Sequence, residues 1–245
     1  MNTSIVIPLA RKGSVRGSVW NDGELLYCLR AIEKNLENYG DIFIIGDIPE
    51  WIKNVIHIPA KDNQDDRYKE RSIYEKIKLA TSIPYITDDF LFMNDDHILL
   101  EKFDARNFPT YIKEDLMEYV DRNKENIEYR TTLVNTVAHL RVNGLTEHNY
   151  DTHCPILYNK KMFKNLGDVN WNEFYGYGIK SLYGNINKIP ATFNEDVKCG
   201  SIIDTREFIL ERITGKKFFS LTHYVNEHMR VILHELYPEK SKYEV

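Results

Sequence analysis

Short apolar runs recur through the N-terminal part of the chain, and segments of helical period separate them. That alternation limits the fold more than any other feature. Ser4-Ile5-Val6-Ile7-Pro8-Leu9 reads as a strand buried on both faces. Asn21-Asp22-Gly23-Glu24 reads as a helix start, with Asn21 as cap and Glu24 at capping-box spacing. Leu25, Leu26, Leu29, Ile32 and Leu36 keep the helical period up to Gly40. Strands follow at 41–47 and 54–59. A second helix is carried by Ile73, Ile77 and Ala80, and Phe90-Leu91-Phe92-Met93 is a further strand. The order β-α-β-β-α-β predicts an α/β fold, Rossmann-like, with a mostly parallel sheet flanked by helices. Such sheets bind ligands at the carboxyl ends of their strands, and the last of these strands runs straight into Asn94-Asp95-Asp96-His97.

The remainder is less regular. Helices are predicted at about 112–123, 130–143, 207–213 and 224–237, and 148–200 reads as a loop-rich region carrying many Tyr, Asn and Gly. No internal repeat or domain boundary is visible, so residues 1–245 are taken as a single domain. The aromatic, glycine-rich stretch Trp171 to Asn185 suits either a sugar- or base-stacking loop or a packed lid. Its Gly176-x-Gly178 lacks the third glycine and the preceding strand of a dinucleotide loop.

Charge and cysteine content exclude some classes. Acids outnumber bases, 37 to 32, for a net charge of −5, which argues against a protein dominated by sequence-independent phosphate binding. Three dispersed cysteines, Cys28, Cys154 and Cys199, make neither a disulfide framework nor a zinc knuckle and favour a reducing compartment. The N-terminal apolar segment is too short for a signal peptide and no run reaches membrane-span length. A cytoplasmic location is expected.

Two adjacent carboxylates at the mouth of a sheet repel each other and lose hydration, so something positive must compensate. A divalent cation, Mg²⁺ or Mn²⁺, takes one or two carboxylates together with substrate phosphates. The plainer alternative is a solvated turn after a strand. The apolar strand before the acids, and its place at the end of the β-α-β-β-α-β series, favour the metal.

Phe92-Met93-Asn94-Asp95-Asp96 resembles the Phe-x-Asn-Asp-Asp segment of Stealth-type sugar-phosphate transferases and, more broadly, the Asp-x-Asp-like metal site of GT-A nucleotide-sugar transferases. Trp20 to Asn35 is similar to that family's Asn-Asp-x-Glu-Leu helix after the first strand, and Asp151-Thr152-His153-Cys154-Pro155 to its later His-x-Pro segment. The family's opening Tyr-Thr-Trp-Val-Asp-Gly pattern is absent, and Phe219 to His223 stands where its closing Asn-Asp pair would be.

The resemblance implies a GT-A-like fold whose first half, to about residue 105, binds the nucleotide and whose second half, from about 106, faces the acceptor. It implies Asp96 as a metal ligand bridging the donor diphosphate, with Asp95 as a further ligand or a support and Asn94 at ribose or metal. Pro8 and Arg11, at and after the first strand, would approach the nucleotide. Arg30 would reach a phosphate, or be simply a surface or salt-bridged arginine. His223 is a candidate third metal ligand. His153 would act as a base or hold a phosphate. If an acceptor hydroxyl attacks with inversion, a base is needed, and Asp151, Glu195 and Asp196 are candidates. The implied activity is metal-dependent transfer of a sugar from a nucleotide sugar, a UDP-sugar above others. The acceptor would be a glycan, a surface polymer or hydroxymethylated DNA. Alternatives are a sugar-1-phosphate transferase, and a non-catalytic nucleotide- or glycan-binding protein, which Asn94 in place of an acid would permit.

Overall fold

The computed structural model describes residues 2–10, 23–63, 65–122, 125–222 and 224–245. The principal strands are β1 (Thr3–Leu9), β2 (Tyr39–Gly46), β3 (Ile56–Ile58), β4 (Asp89–Phe92), β5 (His97–Leu99), β6 (Ile156–Asn159), β7 (Lys198–Cys199) and β8 (Phe218–Leu221). The principal helices are α1 (Gly23–Asn35), α2 (Lys69–Ser82), α3 (Leu116–Arg122), α4 (Ile127–Val142), α5 (Ile179–Ile186), α6 (Arg206–Ile213) and α7 (Glu227–Leu236).

The main sheet has the order β3-β2-β1-β4-β6. Its first four strands are parallel, and β6 closes the edge antiparallel to β4, with Phe92 opposite Ile156. A small second sheet has the order β7-β8-β5. The protein is thus mixed α/β with a parallel-rich sheet.

Side chains alternate across the pleat, and the two faces gather separate cores. Ile5, Ile7, Ile42, Ile44 and Leu91 join Cys28, Leu29 and Ile32 of α1 and Met229, Ile232 and Leu233 of α7. Val6, Phe43, Ile45, Phe90 and Phe92 face Tyr74 and Ile77 of α2, Leu133 and Val137 of α4, and Leu182 and Tyr183 of α5. Burial on both faces is why these strands read as unbroken apolar runs.

Two expectations change. The first helix ends at Asn35, not near Gly40, because Leu36 and Glu37 pair with Phe103 and Asp104 and Asn38 turns the chain at a φ of 55°. The Asn21 cap lies outside the described residues. The region 148–200 is not mainly loop: it contributes the edge strand β6, the helix α5 and the strand β7. Within it, Trp171 stacks on Tyr74 at 3.9 Å and 9°, and Tyr177 meets Trp171 edge-on. These rings are core; Phe174, half exposed, is not. No helix among the described residues is long and apolar enough to cross a membrane.

Candidate functional site

Residues 94–96 form the turn from β4 into β5, at the carboxyl end of the central parallel strands. His97 N–H donates to the Asn94 carbonyl at 3.3 Å, and Asn94 N–H donates to His97 Nδ1 at 3.3 Å, which leaves the ring proton on Nε2. Pairing of β8 with β5 brings Ser220 alongside, and its hydroxyl donates to Asp96 Oδ2 at 2.7 Å. Lys198 Nζ stands 3.6 Å from the same oxygen. Burial works to raise the Asp96 pKa, but Lys198 and the Ser220 hydroxyl outweigh it and hold the group well below the ordinary carboxylate range. Burial, and then the Lys180 charge, push His97 well down, so it is neutral. Asp96 Oδ1 and His97 Nε2 lie 3.8 Å apart, and both are buried with no hydrogen-bond partner. An orphaned buried acceptor, Asp96 Oδ1, facing an orphaned donor, His97 Nε2–H, at a distance too long for a hydrogen bond is uncommon.

A second centre adjoins the first. His153 Nδ1 lies 2.7 Å from Asp196 Oδ2, and the His153 backbone N–H donates to Asp196 Oδ1 at 2.7 Å. Lys113 Nζ donates to Asp196 Oδ2 at 2.9 Å. Burial would raise Asp196, but the His153 hydrogen bond and Lys113 hold it far below the usual range. An ionised Asp196 fixes the proton of neutral His153 on Nδ1 and leaves Nε2 as the basic atom. Burial lowers the His153 pKa, partly offset by Asp196. Asp96 and His153 are near enough to feel each other's charge. Behind both, Lys180 in the first turn of α5 donates to the carbonyls of Thr152 (2.8 Å) and Cys154 (2.6 Å), which fixes the loop carrying His153.

Asp151 accepts from Ser181 Oγ at 2.8 Å, against the N-terminus of α5. Gly178 caps that helix, and a Cβ there would lie 2.1 Å from Asp151 Oδ2, so the carboxylate occupies space only glycine leaves.

A cleft of about 470 Å³ opens at the carboxyl ends of β2 and β3, lined by Gly46, Asp47, Ile48, His57 and Pro59. Gly46 has φ 128°, and a Cβ on it would meet the Leu9 carbonyl at 1.9 Å. Buried Lys76 bridges that carbonyl (2.9 Å) and the Asp62 carboxylate, which fastens α2 to the end of β1.

Of the residues expected from sequence, Asn94, Asp95 and Asp96 share one turn, and His153 and Asp196 form one hydrogen-bonded pair. Asp151 lies two residues before His153, tied to α5. Pro8 pairs with Ile45 inside the sheet. Arg30 does not join this group: all three of its guanidinium nitrogens are committed to Glu244 and the Tyr237 carbonyl. This is the salt-bridged alternative, part-buried, and not the phosphate contact. Glu195 pairs at the surface with Lys216 at 2.6 Å. Arg11 and His223 lie outside the described residues. Sequence reasoning missed Lys113, Lys180, Lys198 and Ser220, and it missed the cleft beside Gly46.

Among the described residues no three His, Cys, Asp or Glu side chains surround one point. The unpartnered Asp96 Oδ1 is a hard oxygen of the type Mg²⁺ or Mn²⁺ takes, and such ions commonly draw the rest of their shell from substrate phosphates and water. Asp96 Oδ1 is a single buried donor, so the described residues alone form no cation site, and a cation on Asp96 would draw the rest of its shell from outside the protein.

No protein-family model matches the chain, and no curated protein matches it. Among solved structures the chain is similar to the glycosyltransferase GlyE of Streptococcus pneumoniae TIGR4, at 9% identity and a TM-score of 0.44. The likeness covers 98% of this chain and 61% of that one, so this chain spans less than two thirds of its length. A likeness of that size decides neither fold detail nor activity.

Proposed function

We propose that the protein is a nucleotide-sugar-dependent glycosyltransferase of GT-A-like architecture. The observation that carries this reading is Asp96. It is an ionised carboxylate at the end of a central parallel strand, tied through one oxygen to Ser220 and Lys198 and unpartnered at the other. It sits beside an oriented histidine–aspartate pair. The cleft lined by Gly46, Asp47 and His57 has room for a nucleoside. A Mn²⁺ or Mg²⁺ ion held on Asp96, with Asp95 beside it, would supply Lewis-acid stabilisation of the leaving diphosphate.

The chain's own residues do the rest. Lys198 balances part of the negative charge that Asp96 and a diphosphate bring together. Asp196 keeps His153 in the tautomer whose Nε2 accepts a proton from the acceptor hydroxyl. The acceptor oxygen then bonds to the anomeric carbon as the bond from that carbon to the diphosphate oxygen breaks. Lys113 keeps Asp196 ionised, so it acts through Asp196 and is a positioning residue.

The same histidine suits transfer of a sugar phosphate, with His153 at the phosphate, and the products separate the two readings. Incubation with a panel of nucleotide sugars and Mn²⁺, followed by chromatography, is expected to release a nucleoside diphosphate. Release of a monophosphate assigns the phosphotransfer reading instead. No nucleotide release from any donor, with a glycan or hydroxymethylated-DNA acceptor present, or release unchanged in Asp96→Ala, contradicts both.

A further inference from the structure

Beyond the carboxyl ends of β7 and β8 lies an open groove of about 340 Å³, lined by Ser201, Ile202, Ile203, Thr222 and Tyr224. It adjoins the Asp96 centre through the backbone. Lys198 and Ser220, which face Asp96 Oδ2, lie opposite one another in β7 and β8. The next residue of β8, Leu221, donates its N–H to the Asp96 carbonyl at 3.0 Å, and Thr222 N–H donates to the Cys199 carbonyl at 3.0 Å. Ser220 and Thr222 are at most about 7 Å apart along the chain, so the groove opens within one sugar-sized ligand of the Asp96 carboxylate.

The turn that presents the two isoleucines is tied down on both sides. Asp204 accepts from the N–H groups of Gly200 and Ser201, each at 2.8 Å, and from Ser201 Oγ at 2.7 Å. Asn226 Nδ2 donates to the carbonyls of Ser201 (2.6 Å) and Asp204 (2.7 Å), and Asn226 N–H donates to that of Gly200 at 2.9 Å. Ile202 and Ile203 are nevertheless 73% and 87% exposed, so the fold itself holds two apolar side chains in water. The hydroxyls of the lining are spent within the protein: Ser201 on Asp204, and Thr222 Oγ1 on the Tyr224 carbonyl at 3.3 Å. None of the five lining residues is charged. What the groove offers a ligand is therefore apolar surface beside the half-exposed Tyr224 ring, and covering such surface is favourable.

We propose that this groove takes the apolar aglycone of the acceptor, a hydrocarbon chain carried by the saccharide that is glycosylated at the Asp96 centre. The proposal rests on the glycosyltransferase reading for the ligand's role as acceptor, and on the groove alone for its apolar character. The place and shape of the groove favour this occupant over others. One glycoside spans both sites, with its sugar at Asp96 and its chain over Ile202 and Ile203. Among the described residues no cation lines the groove to meet the phosphates of DNA. A lipid surface takes a protruding apolar face with a basic rim, whereas this face is concave and the chain has a net charge of −5. A stable interface between two protein chains buries about 1,200 Å² or more in total, beyond what a groove of five residues supplies.

The test is isothermal titration calorimetry of the intact chain with the methyl and n-octyl β-pyranosides of glucose, galactose and N-acetylglucosamine, each below its micellar concentration. Every buried methylene tightens binding about fourfold, so the octyl glycosides are expected to bind wild type at least about tenfold tighter than the methyl ones. Ile202→Ser combined with Ile203→Ser should remove that margin, and both side chains are exposed enough for the fold to be kept. Val142→Ser, as exposed as Ile203 but at the end of α4 on the other face of the main sheet, should leave the margin unchanged. No octyl margin in wild type, or a margin that survives the double variant, overturns the proposal. So does a margin that Val142→Ser lowers equally, which would mean adventitious binding of detergent only. Binding to phosphatidylcholine vesicles, or a dimer in sedimentation, that the double variant abolishes while no octyl margin exists would assign the face to a membrane or to a second copy instead. Nucleotide release from a donor with Mn²⁺ separates this proposal from the reading beneath it. Release with methyl and octyl acceptors at equal acceptor KM leaves the transferase standing and removes the groove from it. An octyl margin that the double variant abolishes, with no release from any donor, leaves the groove standing as an apolar glycoside site and removes the transferase.

Discussion

Two part-buried charges in this molecule are built in opposite ways. Arg30 and Glu244 satisfy one another completely. Arg30 Nε and Nη2 reach both Glu244 oxygens at 2.8 and 2.7 Å, its Nη1 takes the Tyr237 carbonyl, and Glu244 Oε1 also accepts from Ser241. Asp96 is half satisfied: Oδ2 is taken by Ser220, while Oδ1 faces the equally unpartnered His97 Nε2. The first arrangement has no capacity left and ties the C-terminal residues to α1. The second keeps an acceptor in reserve at the carboxyl end of a parallel sheet, where ligands bind. Burial of charge alone does not mark a functional residue; unspent hydrogen-bonding capacity is the better guide.

This contrast is open to direct attack, and the largest expected effect lies on the structural side. Arg30→Ala leaves Glu244 buried without its partner, which costs about 3–5 kcal/mol. Urea unfolding should show that loss, and any nucleotide response should survive it at temperatures where the variant is folded. A loss under ~1 kcal/mol would mean that the pair is not the structural anchor argued here.

Gly178→Ala comes next. Its Cβ would press on the Asp151 carboxylate, and overpacking of this kind costs about 1–3 kcal/mol. In an Asp151→Ala background the cost should largely vanish, because the two residues share one space. An equal cost in both backgrounds would place the strain elsewhere.

Glu70 gives a pH signature of the opposite sign to the site aspartates. Its pKa is raised to about 7 in the fold, against an ordinary value near 4.3. Between those two values the folded chain holds a proton that the unfolded chain has released, so Glu70 makes stability fall as pH rises through that window. Glu70→Gln should then be more stable than wild type at pH 8, by about 1–2 kcal/mol, and indistinguishable from it near pH 4. Asp96 and Asp196, held low, contribute stability that is complete above an ordinary aspartate pKa of about 3.9 and is lost as pH falls below it. Asp196→Asn should flatten that acid arm, and an unflattened arm would separate Asp196 from it.

A further effect of the same sign as that of Asp196 is expected at Asp96. The fold holds its carboxylate ionised, so Asp96→Asn should cost stability at neutral pH, and the cost should shrink as pH falls below the ordinary aspartate range.

Much of the frame was legible in the chain. β1, β2 and β4 are buried on both faces, so Ile5 to Ile7, Ile42 to Ile45 and Phe90 to Phe92 stand out as apolar runs. Asn94 to Asp96 follow the last of these directly. The edge strand β6 was hidden because Ile156–Asn159 is only four residues long and alternates in burial. α5 was hidden by its Gly184 and Asn185 and by the aromatic loop before it. The site cations were the least legible. Buried Lys113 and Lys180, and exposed Lys198 beside Asp96, look in sequence like the surface lysines around them; only tertiary packing turns the first two inward and sets the third against the carboxylate. Glu195 and Asp196 show the same limit, since neighbouring acids in one extended segment point opposite ways and one reaches Lys216 while the other reaches His153. The Arg30 pairing spans 214 positions and has no local signal.

The most direct test is thermal unfolding of wild type, Asp96→Asn and Arg30→Lys with nucleotides and nucleotide sugars, each in Mn²⁺, in Mg²⁺ and in chelator. A ligand that binds only the folded chain raises the midpoint by mass action. The account predicts a metal-dependent rise for at least one nucleotide in wild type. It predicts the same rise over a lowered baseline in Arg30→Lys, and none in Asp96→Asn. An equal rise in Asp96→Asn, or no rise with any nucleotide in wild type, would contradict it and leave the acids of the β4–β5 turn without the role assigned to them.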